Sequence, residues 1–272
     1  MNHPPPSTIL MCSNLLRSLT ALALVAGLSS CAHIQPGAPP PVAVPPVTAT
    51  LPAVDASQAA PKAGNTRFFE MHESFLARGK AGPVGLLFLG DSITEGWKKA
   101  PHIWEHYYGQ YQPANFGIGG DQTQHVLWRI ENGELAGIAP KVVVLMIGTN
   151  NTGRHTAAEI AAADRRIVQL IRTKLPETKI LLLAIFPRGL DKNKDGTIDP
   201  RARRMETISA VNPELAKLDD GRMVRFLDIN AQFLGNDGTI PRSIMPDQLH
   251  PNAAGYQLWA DAMQPLLQAM LQ

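Results

Sequence analysis

Five short apolar runs, at 84–89, 113–116, 142–147, 180–186 and 224–229, punctuate the chain. Each is four to seven residues long, and continuous runs such as Val142-Val143-Val144-Leu145-Met146-Ile147 lack the polar alternation of a half-exposed strand. Strands covered on both faces read this way. Between them lie stretches with helical spacing at 122–131, 157–175 and 205–218, and 252–271 closes the chain. An earlier helix is expected from near Thr66, where Phe68, Phe69, His72, Phe75 and Leu76 recur at helical intervals. Strands alternating with helices predict an α/β domain: a five-stranded parallel sheet with helices on both faces and right-handed crossovers. Pro265 should kink or break the last helix.

The segments ahead of the domain have a different character. Arg17 precedes an apolar run from Leu19 to Leu28, too short for a stable transmembrane helix but suited to a signal peptide, and Leu28-Ser29-Ser30-Cys31 resembles a bacterial lipobox. Cleavage before Cys31 and diacylation of its sulfur would anchor the protein in the cell envelope. Ala32 in second place suggests, by resemblance to enterobacterial sorting, the outer membrane, facing the periplasm or the cell surface. Met11 is an alternative start, because Met1 to Leu10 is an unusual opening for a signal. Residues 35–62 are rich in Pro and Ala with little charge, the composition of an extended linker. The expected organisation is therefore a signal at 1–30, a tether at 31–64 and the folded domain at 65–272, with a polar insertion at 188–204.

Composition narrows the class. With 272 residues, 44% of them hydrophobic, the chain can bury one sizeable core. Its formal charge of +2 comes with no Lys/Arg-rich run interleaved with aromatics, so nucleic acid is not a favoured partner. The short cluster Arg201, Arg203, Arg204 reads as a solvated face. Cys12 and Cys31 are the only cysteines, which leaves the mature domain without a disulfide or a Cys/His metal site.

Four polar blocks follow apolar segments and carry the candidate chemistry. Gly90-Asp91-Ser92 places a hydroxyl at a strand end, and Asp247-Gln248-Leu249-His250 puts a carboxylate three residues before an imidazole. A serine needs such a base, and the base needs a group to hold its tautomer. The turns Asn115-Phe116-Gly117-Ile118-Gly119-Gly120-Asp121 and Gly148-Thr149-Asn150-Asn151 could supply donors to a tetrahedral oxyanion. Each block alone is ordinary turn or cap chemistry. All in order, at what should be one sheet edge, point to a site.

In this order the blocks resemble those of the SGNH (GDSL) hydrolases. Within that family, 115–130 (NFGIGGDQTQHVLWRI), Gly133-Glu134-Leu135, 140–144 and 147–151 are similar to the platelet-activating-factor acetylhydrolase catalytic subunits. The resemblance runs from about Phe69 onward. It implies the three-layer α/β/α flavodoxin-like fold, Ser92 as nucleophile, His250 as base and Asp247 orienting it. It further implies an oxyanion hole of the Ser92 and Gly120 N–H groups with the Asn150 amide, and an acyl pocket closed by Ile93, Thr149 and Leu249. Such a pocket favours acetyl. The implied activity is a short-chain esterase, without metal or organic cofactor, acting on acetyl esters of sugars, glycans or lipids. A longer-chain lysophospholipase or thioesterase is the alternative enzyme, and a non-catalytic glycan-binding surface lipoprotein the alternative from another class. The similar mammalian subunits pair, which implies a possible homodimer that this sequence alone does not display.

Two further features fall outside that scheme. Asp191, Asn193, Asp195 and Asp199 follow the spacing of a calcium loop, but Ala202 stands where a bidentate acid is expected, which favours a polar surface turn. Trp97, Trp104, Trp128 and Trp259 could line a substrate groove, but aromatics at helical spacing are more often core, and His72, His102, His106, His125 and His155 have no carboxylate partner visible in sequence.

Overall fold

The computed structural model describes residues 55–189, 197 and 204–272. The signal segment, Cys31 and the candidate calcium residues Asp191, Asn193, Asp195 and Asp199 lie outside the described residues. The elements follow the order α1 (Thr66–Lys80), β1 (Leu86–Gly90), α2 (Ser92–Glu95), α3 (Pro101–Tyr108), β2 (Pro113–Gly117), α4 (Thr123–Glu131), β3 (Val142–Met146), α5 (Ala157–Lys174), β4 (Lys179–Leu183), α6 (Arg204–Ala216), β5 (Val224–Leu227) and α7 (Ala253–Leu271). All five apolar runs form strands, in the spatial order β2-β1-β3-β4-β5, and every pair is parallel.

Side chains of successive strand residues point to opposite faces, and the core divides accordingly. Leu87, Leu89, Val143, Leu145, Ile180 and Leu182 face one apolar cluster, with Phe68 and Phe75 of α1, Val126, Leu127 and Ile130 of α4, Ile167 of α5 and Val211 of α6. Leu86, Phe88, Val142, Val144 and Leu183 face the other, against Tyr108 of α3 and Tyr256, Trp259 and Met263 of α7. Trp97 and Trp259 are fully buried there, with ring centroids 5.0 Å apart, so these two tryptophans belong to the core.

Three expectations need correction. Helix α7 runs unbroken through Pro265, because its buried face of Trp259, Met263, Leu267 and Met270 packs on the sheet, and this burial outweighs the one hydrogen bond that proline removes. The apolar run at 180–186 outlasts its strand: Ala184, Ile185 and Phe186 remain buried after the ladder ends at Leu183. Residues 55–64, expected as the end of a tether, pack against the domain. Ala56 is fully buried, and its carbonyl accepts from Thr123 Oγ1 at 2.8 Å. The Ala60 N–H donates to the Gln124 carbonyl at 3.1 Å, and Arg166 reaches the Ser57 carbonyl.

The chain leaves β1 for β2 on one side and returns for β3 on the other. Ligands of open parallel sheets bind at the carboxyl ends of the strands where the order reverses in this way. The loops after β1, β2 and β3 carry three of the four polar blocks to that point.

Candidate active site

At the end of β1 the chain turns sharply into α2. The buried Asp91 caps this turn, its Oδ1 accepting the Ile93 N–H at 2.9 Å, and Ser92 opens the helix. Beneath it Gly117 ends β2 so closely that a Cβ there would lie 2.2 Å from the Glu95 nitrogen, which excludes any side chain. Glu95 ties the next loop down by accepting the Gly119 N–H at 2.8 Å. Gly120 then takes φ +74, a left-handed conformation that L side chains rarely adopt.

The fourth block arrives from the loop ahead of α7. The Ser92 hydroxyl donates to His250 Nε2 at 2.8 Å, and His250 Nδ1–H donates to Asp247 Oδ2 at 2.6 Å. Asp247 Oδ1 accepts the backbone N–H groups of Leu249 at 3.1 Å and His250 at 2.7 Å. Partial burial pushes the Asp247 carboxyl up, but the backbone N–H of His250, its ring and the N–H of Leu249 outweigh this and hold it below the usual carboxylate range. A carboxylate fixed on Nδ1 leaves Nε2 without a proton, free to receive the hydroxyl hydrogen.

Donors converge on the same place. The N–H groups of Ser92 and Gly120 meet no acceptor among the described residues. Asn150 Nδ2 donates to the Asp121 carbonyl at 2.8 Å, while its contact with Asp91 Oδ2 is 3.4 Å, too long to hold the second hydrogen firmly. The neighbouring Asn151 holds the loop in place instead. Its Oδ1 accepts the Thr123 N–H at the start of α4 at 3.0 Å, and its Nδ2 donates to Thr123 Oγ1 at 3.0 Å. Of the residues expected at the acyl pocket, Ile93 is buried in the same apolar cluster that Leu249 packs against. Thr149 is buried beside Arg188, whose Nη1 donates to the Thr149 carbonyl and hydroxyl at 3.3 Å each. A cleft of about 660 Å³ lies on the histidine side, lined by Arg188, Asp247, Gln248, Met205 and Ile240.

Several residues that support this arrangement were not visible in the motifs. Arg129, fully buried, donates to the Phe116 carbonyl at 3.0 Å and the Gly90 carbonyl at 3.2 Å, so one guanidinium clamps the ends of β1 and β2. It pairs with Asp121 at 3.0 Å and Glu134 at 2.7 Å. Lys62 extends the network to Asp121 at 2.8 Å, and His72 approaches Glu134 at 3.5 Å, a carboxylate partner that the sequence did not reveal. Among the described residues, no group of three or more His, Cys, Asp or Glu side chains could hold a metal ion.

Burial lifts the Asp91 carboxyl to about 7, with Asp121 adding to the rise and the Ile93 N–H, Arg188 and Lys62 opposing it. In the unfolded chain an aspartate titrates near 3.9. Between these values the folded state binds the extra proton, so stability contributed by this group falls as pH rises from about 4 to about 7 and then levels off. Asp91→Asn keeps an acceptor for the Ile93 N–H and removes the titration. The expected result is a urea midpoint that declines less from pH 5 to pH 8 in the variant than in the parent protein; parallel declines would count against it.

Comparison with known proteins agrees with this geometry. Residues 88–258 match the model of the GDSL-like Lipase/Acylhydrolase family. The chain is 36% identical over 208 residues to platelet-activating factor acetylhydrolase IB subunit alpha1 of Bos taurus, spanning 76% of this chain and 85% of that protein. It is 36% identical over 209 residues to subunit alpha2 of Rattus norvegicus, spanning 77% and 87%. Among solved structures, a GDSL-like lipase from Bacteroides thetaiotaomicron shares the fold with a TM-score of 0.58 at 17% identity, covering 73% of this chain and 96% of its own. A carbohydrate acetylesterase family member from Sinorhizobium meliloti does so with a TM-score of 0.51 at 17% identity, covering 68% and 98%.

Proposed function

We propose, for a chain that belongs to the GDSL-like lipase/acylhydrolase family and is thereby a hydrolase of ester bonds, that it is a serine esterase releasing short acyl groups, acetyl foremost, through an acyl-enzyme. The observation that carries this reading is the unbroken line from Ser92 Oγ through His250 to Asp247, at 2.8 Å and 2.6 Å. As Ser92 attacks the ester carbonyl, His250 Nε2 takes its proton and Asp247 stabilises the imidazolium. The oxyanion is received by the Ser92 and Gly120 N–H groups and by Asn150 Nδ2. Collapse of the tetrahedral intermediate breaks the bond to the alcohol, which leaves with the proton from His250. Water, deprotonated by the same imidazole, then attacks the acyl-enzyme and regenerates Ser92 with release of the acid.

Three features support a small acyl group. Bulky Ile93 and Leu249 stand next to Ser92 and His250 in sequence, and Arg188 holds Thr149, the neighbour of Asn150, through its carbonyl and hydroxyl. The curated relatives are named as acetylhydrolase subunits. A chain-length series of p-nitrophenyl esters tests the reading: kcat/KM should be highest for acetate and at least about tenfold lower for octanoate, the discrimination that a few misplaced methylenes produce. Faster turnover of octanoate would favour a lysophospholipase or thioesterase instead.

A further inference from the structure

The Gly120 N–H, one of the oxyanion donors, belongs to a peptide with two available orientations. Residues 118–121 form a β-turn closed by the Asp121 N–H, which donates to the Ile118 carbonyl at 3.1 Å. Gly120, third in this turn, has φ +74, the value of a type II turn, whereas type I needs a negative φ there. The two types differ chiefly in the central peptide, here Gly119–Gly120, which is turned over between them. With glycine on both sides of that peptide, no Cβ selects one orientation. Its C=O and N–H point in opposite directions, because the peptide is planar and trans. Turned over, it would present the Gly119 carbonyl, an acceptor, where the oxyanion needs the Gly120 donor.

Lys62 holds this peptide from outside the four blocks. Its ammonium donates to the Gly119 carbonyl at 2.9 Å and pairs with the Asp121 carboxylate at 2.8 Å, bridging the two residues that flank Gly120. Among the described residues, no other donor reaches that carbonyl. Glu95 and Ile118 fix the peptides on either side, through the N–H groups of Gly119 and Asp121, and leave the central one to the lysine. The docked segment 55–64 keeps Lys62 in place. On one side of it the Ala60 N–H donates to the Gln124 carbonyl at 3.1 Å, and its own carbonyl accepts at 3.1 Å from Asn65, the residue that caps α1. An ammonium against the carbonyl also polarises the peptide, which strengthens the N–H at its other end as a donor. We propose that Lys62 is a positioning residue of the esterase, locking the Gly119–Gly120 peptide with its N–H toward the oxyanion, so that segment 55–64 completes the oxyanion hole. The role rests on the esterase reading and adds to it a residue that no motif contains.

Lys62→Met in the full-length protein removes the ammonium and keeps the apolar stem. Asp121 retains Arg129 at 3.0 Å, so the domain should stay folded, which urea unfolding checks. On p-nitrophenyl acetate, a neutral ester, kcat should fall by about tenfold to a hundredfold, approaching the loss of a whole oxyanion donor. KM should stay within about threefold of the parent value, because acylation and deacylation both pass through an oxyanion and slow together. Affinity for methylboronic acid, whose boron forms a tetrahedral adduct with the Ser92 oxygen, should fall by a similar factor. Lys62→Arg, still a cationic donor, should recover part of both. A lysine that served stability alone would shift the urea midpoint and leave kcat and boronate affinity per folded molecule unaltered. The role is overturned by a kcat within about twofold of the parent in Lys62→Met, or by a lower kcat with unaltered boronate affinity. Should Lys62→Met fail to fold, Lys62→Gln supplies the same comparison. Failure of the parent protein to hydrolyse p-nitrophenyl acetate overturns the esterase reading instead.

Discussion

Ser92→Ala should lower kcat on p-nitrophenyl acetate by about 10⁴-fold or more, the usual loss when a triad nucleophile is removed. The change deletes one oxygen at a half-buried position and leaves the capping bond from Asp91 Oδ1 to the Ile93 N–H in place, so the fold should persist. What remains is an oxyanion site and a cavity, able to bind an ester but without an atom to attack it. His250→Ala should cost about as much, and the double variant little more, because nucleophile and base act as one unit and their losses do not add. Steady-state kinetics with enzyme concentrations high enough to follow the residual rate provide the check. A multiplicative loss in the double variant would mean that the two side chains act separately.

The second large effect concerns stability. Arg129→Met should destabilise the domain by about 3–5 kcal/mol, the cost of breaking a buried ion pair by removing one partner. Arg129 is fully buried between Asp121 and Glu134, and without it those two carboxylates would keep Lys62, His72 and His125 beside them but no buried guanidinium. The Gly90 and Phe116 carbonyls would also lose the guanidinium, although Gly90 keeps the Ile118 N–H at 3.3 Å. Because these carbonyls end β1 and β2, the strands that deliver Ser92 and Gly120, the surviving folded fraction should turn over more slowly as well. Urea unfolding of parent and variant measures the first effect. A loss below about 1 kcal/mol, the range of exposed ion pairs, would show that the network contributes little.

The sheet was legible because its central strands β1 and β3, buried on both faces, must be apolar throughout, and each of the five runs formed a strand. Three of the four site blocks were legible for a related reason: they are the polar residues that directly follow such strands, whereas the fourth was marked by its Asp247-to-His250 spacing. Elsewhere the missing information was tertiary. The Pro/Ala composition of residues 55–64 carries no sign of a docking surface, since Ala56 is buried by a fit to Thr123 rather than by its own hydrophobicity. Arg129 and Glu134 lie within the family-like segments, yet nothing in one sequence shows that a charge is buried or that His72 will meet Glu134. Helix α3 was a missed signal of another sort. Pro101 occupies its first turn, a position that proline favours, and this could have marked the start. Pro265 misled in the opposite direction, because a local penalty was weighed without the core that α7 covers.

Everything proposed for the site depends on Ser92 being acylated during turnover. Rapid acid quenching of the protein during hydrolysis of p-nitrophenyl acetate, followed by proteolysis and mass spectrometry, tests it directly. The expected result is one acetyl group on the peptide that contains Ser92, absent when substrate is omitted and absent in Ser92→Ala. Sustained turnover by Ser92→Ala, or an acetyl group found reproducibly on another side chain with Ser92 unmodified, would contradict it.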